Sequence, residues 1–148
     1  MDLQALLLSL KLAIWTLVLI LPFAIWVAHS LQGMGRNRSW IEAALALPLV
    51  LPPTVLGYYL LVGLGGKEFL GIPLVFSFTG ILIASLIVNL PFAIQPIQRA
   101  FEAINPEIIE AAQVSGLSNW QIFRLIELPL AWRGITSAAV LTFAHTLG

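Results

Sequence analysis

Long apolar segments, separated by short polar ones, restrict what this chain can fold into more than any other feature. The first runs from Leu12 to Ala28, long enough as a helix to cross a hydrocarbon core of about 30 Å at about 1.5 Å per residue. Only 9% of the 148 residues are charged, whereas a soluble domain carries about 25%. Because backbone groups in lipid must be satisfied within the protein, such segments are expected to be helical. We therefore predict an all-α, polytopic membrane protein.

Three further apolar segments give four expected membrane spans. They are Ala43 to Leu64, Ile72 to Ile94, and a segment that begins near Trp132 and continues to Gly148. From Gly134 the last segment has about 15 residues, or roughly 22 Å of helix, which is less than the thickness of the hydrocarbon core. We therefore expect residues 1–148 to be an N-terminal fragment of one membrane domain, with its fourth helix truncated.

Composition also excludes several kinds of chemistry. The net charge is zero, no basic patch indicates nucleic acid, and the chain has no cysteine. His29 and His145 are too far apart in the sequence to suggest a metal site, so we expect neither a metal nor another cofactor. A membrane-embedded enzyme would need paired ionisable groups within the spans, and only His145 and Glu42 come close. We expect no catalytic residue, and the chain has no glycine-rich phosphate-binding loop for ATP.

Four polar residues within the spans are candidates for lining a pathway. They are Thr54, Asn89, Thr142 and His145. Thr54 lies on a helix that we expect its prolines, Pro48, Pro52 and Pro53, to break. Prolines cannot donate backbone hydrogen bonds, so the carbonyls one turn earlier need other partners. Thr142 and His145 lie three residues apart on one helical face, which must contact protein or water. The alternative for each is structural: a packing kink at Thr54, and hydrogen bonds to neighbouring helices for the others.

The most polar stretch, Glu110 to Pro129, has the start and stop signals of two short helices. Asn105 can cap the first helix, with Pro106 at its first position. Gly116 can end this helix in a left-handed conformation. Ser118 and Gln121 form a capping-box pattern for the second helix, and we expect Pro129 to close it.

This stretch resembles the signature loop of ABC importer permeases. The matching pattern is Glu-Ala-Ala, three residues, Gly, nine residues, Ile, one residue, Leu-Pro. The residues that match are Glu110, Ala111, Ala112, Gly116, Ile126, Leu128 and Pro129. The resemblance implies a type I ABC importer transmembrane fold and a cytoplasmic coupling loop at about residues 98–133, whose short helix inserts into a groove on a separate ATPase subunit. We expect Ala111 and Ala112 to form a flat surface for that contact.

A second resemblance concerns the substrate. The sequence LPLVLPPTVLGYYLL, in the second apolar segment, is similar to the corresponding helix of molybdate-type permeases. It implies a permease homodimer in the bacterial inner membrane, surrounded by lipid, with two ATPase subunits and a periplasmic or extracellular substrate-binding protein. Molybdate is the first expectation for the substrate. Sulfate, tungstate or another small solute stays open, as does a membrane assembly subunit that transports nothing.

The orientation follows from the loop charges. The linker after the first span and the signature loop carry five arginines, whereas the opposite side carries two lysines. The arginines are Arg36, Arg38, Arg99, Arg124 and Arg133, and the lysines are Lys11 and Lys67. Because positive charge accumulates on the cytoplasmic side, we predict a cytoplasmic signature loop and an N-terminus outside.

Overall fold

The computed structural model describes residues 2–148, and about four fifths of them belong to helices. The helices are α1 (Leu3–Gln32), α2 (Arg38–Val50), α3 (Pro53–Leu64), α4 (Phe78–Glu102), α5 (Pro106–Val114), α6 (Asn119–Ile122), α7 (Leu128–Leu130) and α8 (Trp132–Leu147), with a π-helical turn at Phe123–Glu127 between α6 and α7. Two short strands, β1 (Glu68–Phe69) and β2 (Ile72–Pro73), form one antiparallel hairpin. The predicted all-α class is confirmed.

Helices α1, α4 and α8 pack against one another and contain most of the core. Small residues dominate their contacts, and Ala24, Ala93 and Ala138 are fully buried. Small side chains let membrane helices approach closely. One such close approach is at Gly134 of α8, where an added Cβ would lie 2.3 Å from Ala100 Cβ and 2.6 Å from the Pro96 carbonyl oxygen.

Two helices, α1 and α4, are long and apolar enough to cross a membrane. The helix of the first span extends beyond its predicted bounds of Leu12 and Ala28, because α1 begins at Leu3 and ends at Gln32. Helix α4 likewise continues past the predicted Ile94 to Glu102. At 30 residues, α1 is about 45 Å long, so its ends extend beyond a hydrocarbon core of about 30 Å.

The second predicted span is broken rather than kinked. Helices α2 and α3 meet at an angle of 107°, and the pair counts as a third candidate span only if the two are taken together. The break falls at Leu51 and Pro52. Leu51 has an extended backbone with ψ of 136°, the conformation that a residue before proline favours. The break agrees with the proline-broken helix expected over Ala43 to Leu64, and not with its alternative of a packing kink.

The start of the third predicted span was also wrong. Ile72 lies in the hairpin, where it pairs with Phe69, and α4 begins only at Phe78. Ser77 caps that helix, since its Oγ accepts a hydrogen bond from the Gly80 backbone N–H at 3.1 Å. The approach is close enough that a Cβ on Gly80 would lie 1.7 Å from the Leu74 carbonyl oxygen.

Candidate functional site

The signature loop comprises α5, α6, the π-helical turn and α7, and its first helix begins as predicted. Asn105 Oδ1 accepts a hydrogen bond from the Glu107 backbone N–H at 3.0 Å. Pro106 occupies the first helical position, where its missing N–H has no cost, and Glu107 places a carboxylate near the positive end of the helix dipole. The start of α5 therefore depends on three adjacent side chains, Asn105 to Glu107.

Gly116 separates the two helices of the loop, also as predicted. Its φ is +87°. Its N–H donates to the Gln113 carbonyl at 3.0 Å, and the Leu117 N–H donates to the Ala112 carbonyl at 3.2 Å. This pair of bonds is the Schellman motif, which satisfies the last carbonyls of a helix.

The second helix of the loop begins with the predicted capping box. The Ser118 backbone N–H donates to Gln121 Oε1 at 2.9 Å, and the Gln121 N–H donates to Ser118 Oγ at 3.3 Å. These reciprocal bonds use two N–H groups that a helix start leaves without partners.

Pro129 does not close that helix, contrary to the prediction. It lies inside α7, and the chain stays helical through Leu130 before it turns at Ala131 into α8. The preceding turn is π-helical, and the Leu128 N–H donates to the Phe123 carbonyl, five residues earlier. In a regular α-helix the proline ring would meet the carbonyl four residues before it. The wider turn accommodates Pro129 without ending the helical segment.

The residues of the signature pattern differ in exposure. Glu110, Ala111 and Gly116 are exposed, Ile126 and Leu128 are half-buried, and Pro129 is exposed. Ala112, in contrast, is only 6% exposed. The expected flat surface formed by both alanines is therefore wrong for Ala112, since neighbouring residues of a helix point about 100° apart at 3.6 residues per turn.

Large apolar side chains outside the pattern are exposed on the same loop. Val114 is 89% and Trp120 is 65% exposed, and Ile108 is also exposed. Groups of this kind, next to charged residues, are typical of protein contact surfaces. The sequence interpretation did not select these three residues, although their place in a short polar loop was a usable signal.

The signature loop is fixed to the end of α1. His29 Nε2 lies 2.5 Å from Glu127 Oε2. The His29 ring also makes edge contacts with Phe101 and Phe123, at centroid distances of 5.6 and 4.6 Å. Because α1 and the loop meet here, the linker that follows α1 and the signature loop lie at the same end of the bundle.

A cavity of about 480 Å³ separates the loop from the ends of the long helices. Its charged lining residues are Arg38, Glu102, Glu110 and Glu127. Glu110 of the signature pattern therefore faces a largely acidic space that also contains the end of α4.

A second polar group lies inside the bundle, around the candidate pathway residue Asn89. Asn89 Nδ2 donates to the Ser85 carbonyl at 2.8 Å and to Thr146 Oγ1 at 3.1 Å. Its Oδ1 lies 3.0 Å from His145 Nδ1. Thr16 of α1 joins the group through a 3.0 Å contact between its Oγ1 and Ser85 Oγ. The group therefore connects α1, α4 and α8.

The other pathway candidates lie in different surroundings. Thr142 is fully buried, and within residues 2–148 its Oγ1 has no hydrogen-bond partner. His145 is exposed and stacks on Phe92 at a centroid distance of 4.3 Å. Thr54 is exposed in the first turn of α3 and is not part of the polar group. The structure therefore brings together Asn89 and His145, but not Thr54.

These features define a class: a helical membrane domain with a rigidly capped helical loop at one end. Residues 7–148 match the model of the family described as "Binding-protein-dependent transport system inner membrane component". The chain belongs to this family, and the predicted ABC importer permease resemblance is confirmed.

Several relatives share substantial identity with the chain. The "Molybdenum transport system permease protein ModB" of Azotobacter vinelandii is 45% identical over 99% of this chain and 69% of the relative. The protein of the same description in Escherichia coli (strain K12) is 36% identical over 98% of this chain and 67% of the relative. The "Probable sulfate transport system permease protein cysT" of Chlorella vulgaris is 32% identical over 83% of this chain and 48% of the relative.

Proposed function

We propose that this chain is the membrane-spanning subunit of an ATP-driven importer that carries an oxyanion, and that this oxyanion is molybdate. The observation that carries the proposal is the 45% identity, over 99% of the chain, to a molybdenum transport permease. The transport complex contains two copies of the permease, two cytoplasmic ATPase subunits and a periplasmic binding protein. The complex lies in the inner membrane, with the signature loop in the cytoplasm.

The ATPase docks on the signature loop. Exposed Ile108, Val114 and Trp120 offer apolar contacts, while Glu110 and Ala111 lie exposed on the same helix as the first two. Gly116 fixes the angle between α5 and α6 through its left-handed backbone. Ala112 packs inward and so holds α5 in place beneath the ATPase contact. Ile126, Leu128 and Pro129 direct the second helix of the loop toward α8. The caps at both helix starts make the loop rigid enough to transmit a displacement.

Substrate binding within the membrane is weak in this proposal. The apolar stretches of the helices contain no arginine, apart from those near helix ends, that could enclose an oxyanion. Selectivity is therefore left to the binding protein. Thr54 and His145, both exposed, are the candidates for the pathway wall, whereas Asn89 and Thr142 serve mainly to position α8 against α4.

A second candidate substrate is sulfate, favoured by the 32% identity to a probable sulfate permease. The test uses proteoliposomes that contain the permease and its ATPase, with the binding protein added outside and ATP enclosed. We expect ATP-dependent uptake of radiolabelled molybdate that a large excess of sulfate does not suppress. Uptake of sulfate instead of molybdate would identify sulfate as the substrate. An assembled complex that takes up neither anion would support a non-transporting assembly subunit.

A further inference from the structure

Four side chains form a network that joins α2 to the end of α4. Arg38 Nε donates to Glu42 Oε1 at 2.7 Å, and Arg38 Nη2 pairs with Glu102 Oε1. Gln98 Nε2 donates to Glu42 Oε1 at 2.5 Å and to Glu102 Oε1 at 3.4 Å. We call these residues, Arg38, Glu42, Gln98 and Glu102, the interhelix network.

The network lies between the signature loop and the broken helix. Glu102 is the last residue of α4, and α5 of the loop begins at Pro106. Arg38 is the first residue of α2, which continues through the 107° break into α3. The network therefore links the beginning of the loop to the beginning of the broken helix.

Little else fixes the broken helix to the bundle. Neither α2 nor α3 has a fully buried residue, and α2 packs mainly on α4. Among the described residues 2–148, every side-chain hydrogen bond or ion pair that joins α2 or α3 to another helix passes through the interhelix network. Ile41 and Leu45 add only half-buried apolar contacts.

The chemistry of Arg38 suits a connection that must keep its geometry. A guanidinium presents several donors in a rigid, planar fork, and here two of them address carboxylates on different helices. The side chains of Arg38 and Glu102 are only 30% and 28% exposed, so solvent screens this pair less than a fully exposed one. Networks of several charges also hold better than isolated surface pairs.

We infer that the interhelix network makes α2 move together with the signature loop, so that a displacement of the loop by the ATPase reaches the broken helix α2–α3. Arg38 is the positioning residue of this connection. The inference rests on the proposed function, because it assigns a path for ATP-driven motion. It also makes a claim about the permease alone, namely that α2 and the loop form one rigid body.

The first experiment measures that rigidity. The chain has no cysteine, so a cysteine pair at Trp40 and Val114, 79% and 89% exposed, can carry spin labels without other changes. We expect a narrow distance distribution that keeps its mean when the ATPase binds ATP. Arg38→Gln should broaden the distribution with or without nucleotide. Arg99→Gln is the matched control, because Arg99 also contacts Glu102, at 3.4 Å, but lies on the same helix and, among residues 2–148, makes no hydrogen bond or ion pair to α2.

The second experiment measures the coupling in proteoliposomes that contain the complete complex. Arg38→Gln should lose most uptake per ATP hydrolysed while ATP hydrolysis continues, and Arg99→Gln should behave as wild type. Arg38→Lys should be intermediate, because an ammonium keeps the charge but not the fork. A merely structural Arg38 would instead lower the amount of assembled complex and leave the ratio of uptake to hydrolysis unchanged.

The outcomes separate the two proposals. If the wild-type complex shows no ATP-driven uptake, the proposed function is contradicted. If Arg38→Gln alone broadens the distribution of spin-label distances, the rigid connection is still supported. If Arg38→Gln matches Arg99→Gln in label distances and in uptake per ATP, the interhelix network is not the connection and the inference fails.

Discussion

Two glycines in this chain are required by different physical constraints. Gly116 has a left-handed backbone, with φ of +87° and open space around its Cα. Gly134 has no unusual φ, but an added Cβ would collide with Ala100 and the Pro96 carbonyl. The first constraint is local and could be recognised from helix signals in the sequence. The second depends on how closely α8 approaches α4, so the sequence alone did not indicate it.

The residue-scale prediction concerns coupling to the ATPase. In the full permease complex, Gly116→Pro or Glu110→Arg should abolish ATP-driven uptake and reduce co-purification of the ATPase, while insertion and dimerisation persist. Proline cannot adopt a positive φ, and reversal of the Glu110 charge places a cation at a close protein contact. Uptake and ATPase pull-down from detergent extracts measure the effect.

Matched controls for these variants lie at the opposite end of the molecule. Gly66 also has a positive φ, of 68°, and Glu68 is exposed in β1. Gly66→Pro and Glu68→Arg should leave ATPase co-purification unchanged. If Gly116→Pro and Glu110→Arg transport normally with the ATPase bound, the signature loop is only a connecting segment.

At the scale of elements, helix ends outside the membrane were easier to predict than the ends of the spans. The starts of α5 and α6 are set by side chains within three residues, such as Asn105 and Ser118. The ends of α1 and α4 are not marked by hydropathy, because an apolar segment indicates the lipid-facing zone and a helix can continue beyond it. The prolines predicted a broken helix here, but not the angle of 107° between its two parts, because they remove hydrogen bonds without setting a direction.

The element-scale prediction concerns the contact between α4 and α8. Gly134→Ala should destabilise the protein by about 1–3 kcal/mol, the usual cost of overpacking a close contact. The control is Gly63→Ala in α3, where an added Cβ meets nothing within 4 Å and alanine is the better helix former. Thermal unfolding of the purified protein in detergent compares the two. Equal melting temperatures for Gly134→Ala and wild type would show that the two helices separate at little cost.

At the scale of the whole molecule, the contacts define two ends. His29 pairs with Glu127, and Arg38 pairs with Glu102, so the linker after α1 and the signature loop share one end. The hairpin lies between the end of α3 and the start of α4, at the other end. This arrangement agrees with the placement of both segments on one side, from which the loop-charge argument started. That argument counted Arg38 as a loop charge and did not foresee its ion pairs.

The prediction at this scale is the orientation itself. Single cysteines at Asn37 and Asn119 should be protected from a membrane-impermeant thiol reagent in intact cells, while one at Gly66 should react. All three positions are exposed in the structure, so protection reports the side of the membrane rather than burial. Permeabilised cells are the control, in which all three should react. Reaction at Asn119 from outside would reverse the topology and remove the proposed ATPase contact.

The break between α2 and α3 has a consequence for biosynthesis. With 13 and 12 residues, each helix is about 20 Å long and too short to cross the hydrocarbon core alone. Neither helix can therefore span the bilayer by itself. Because α2 packs mainly on α4, its final place exists only after Phe78–Glu102 has been synthesised. We therefore expect α2 and α3, unlike α1, to reach their final position only after α4 has been synthesised.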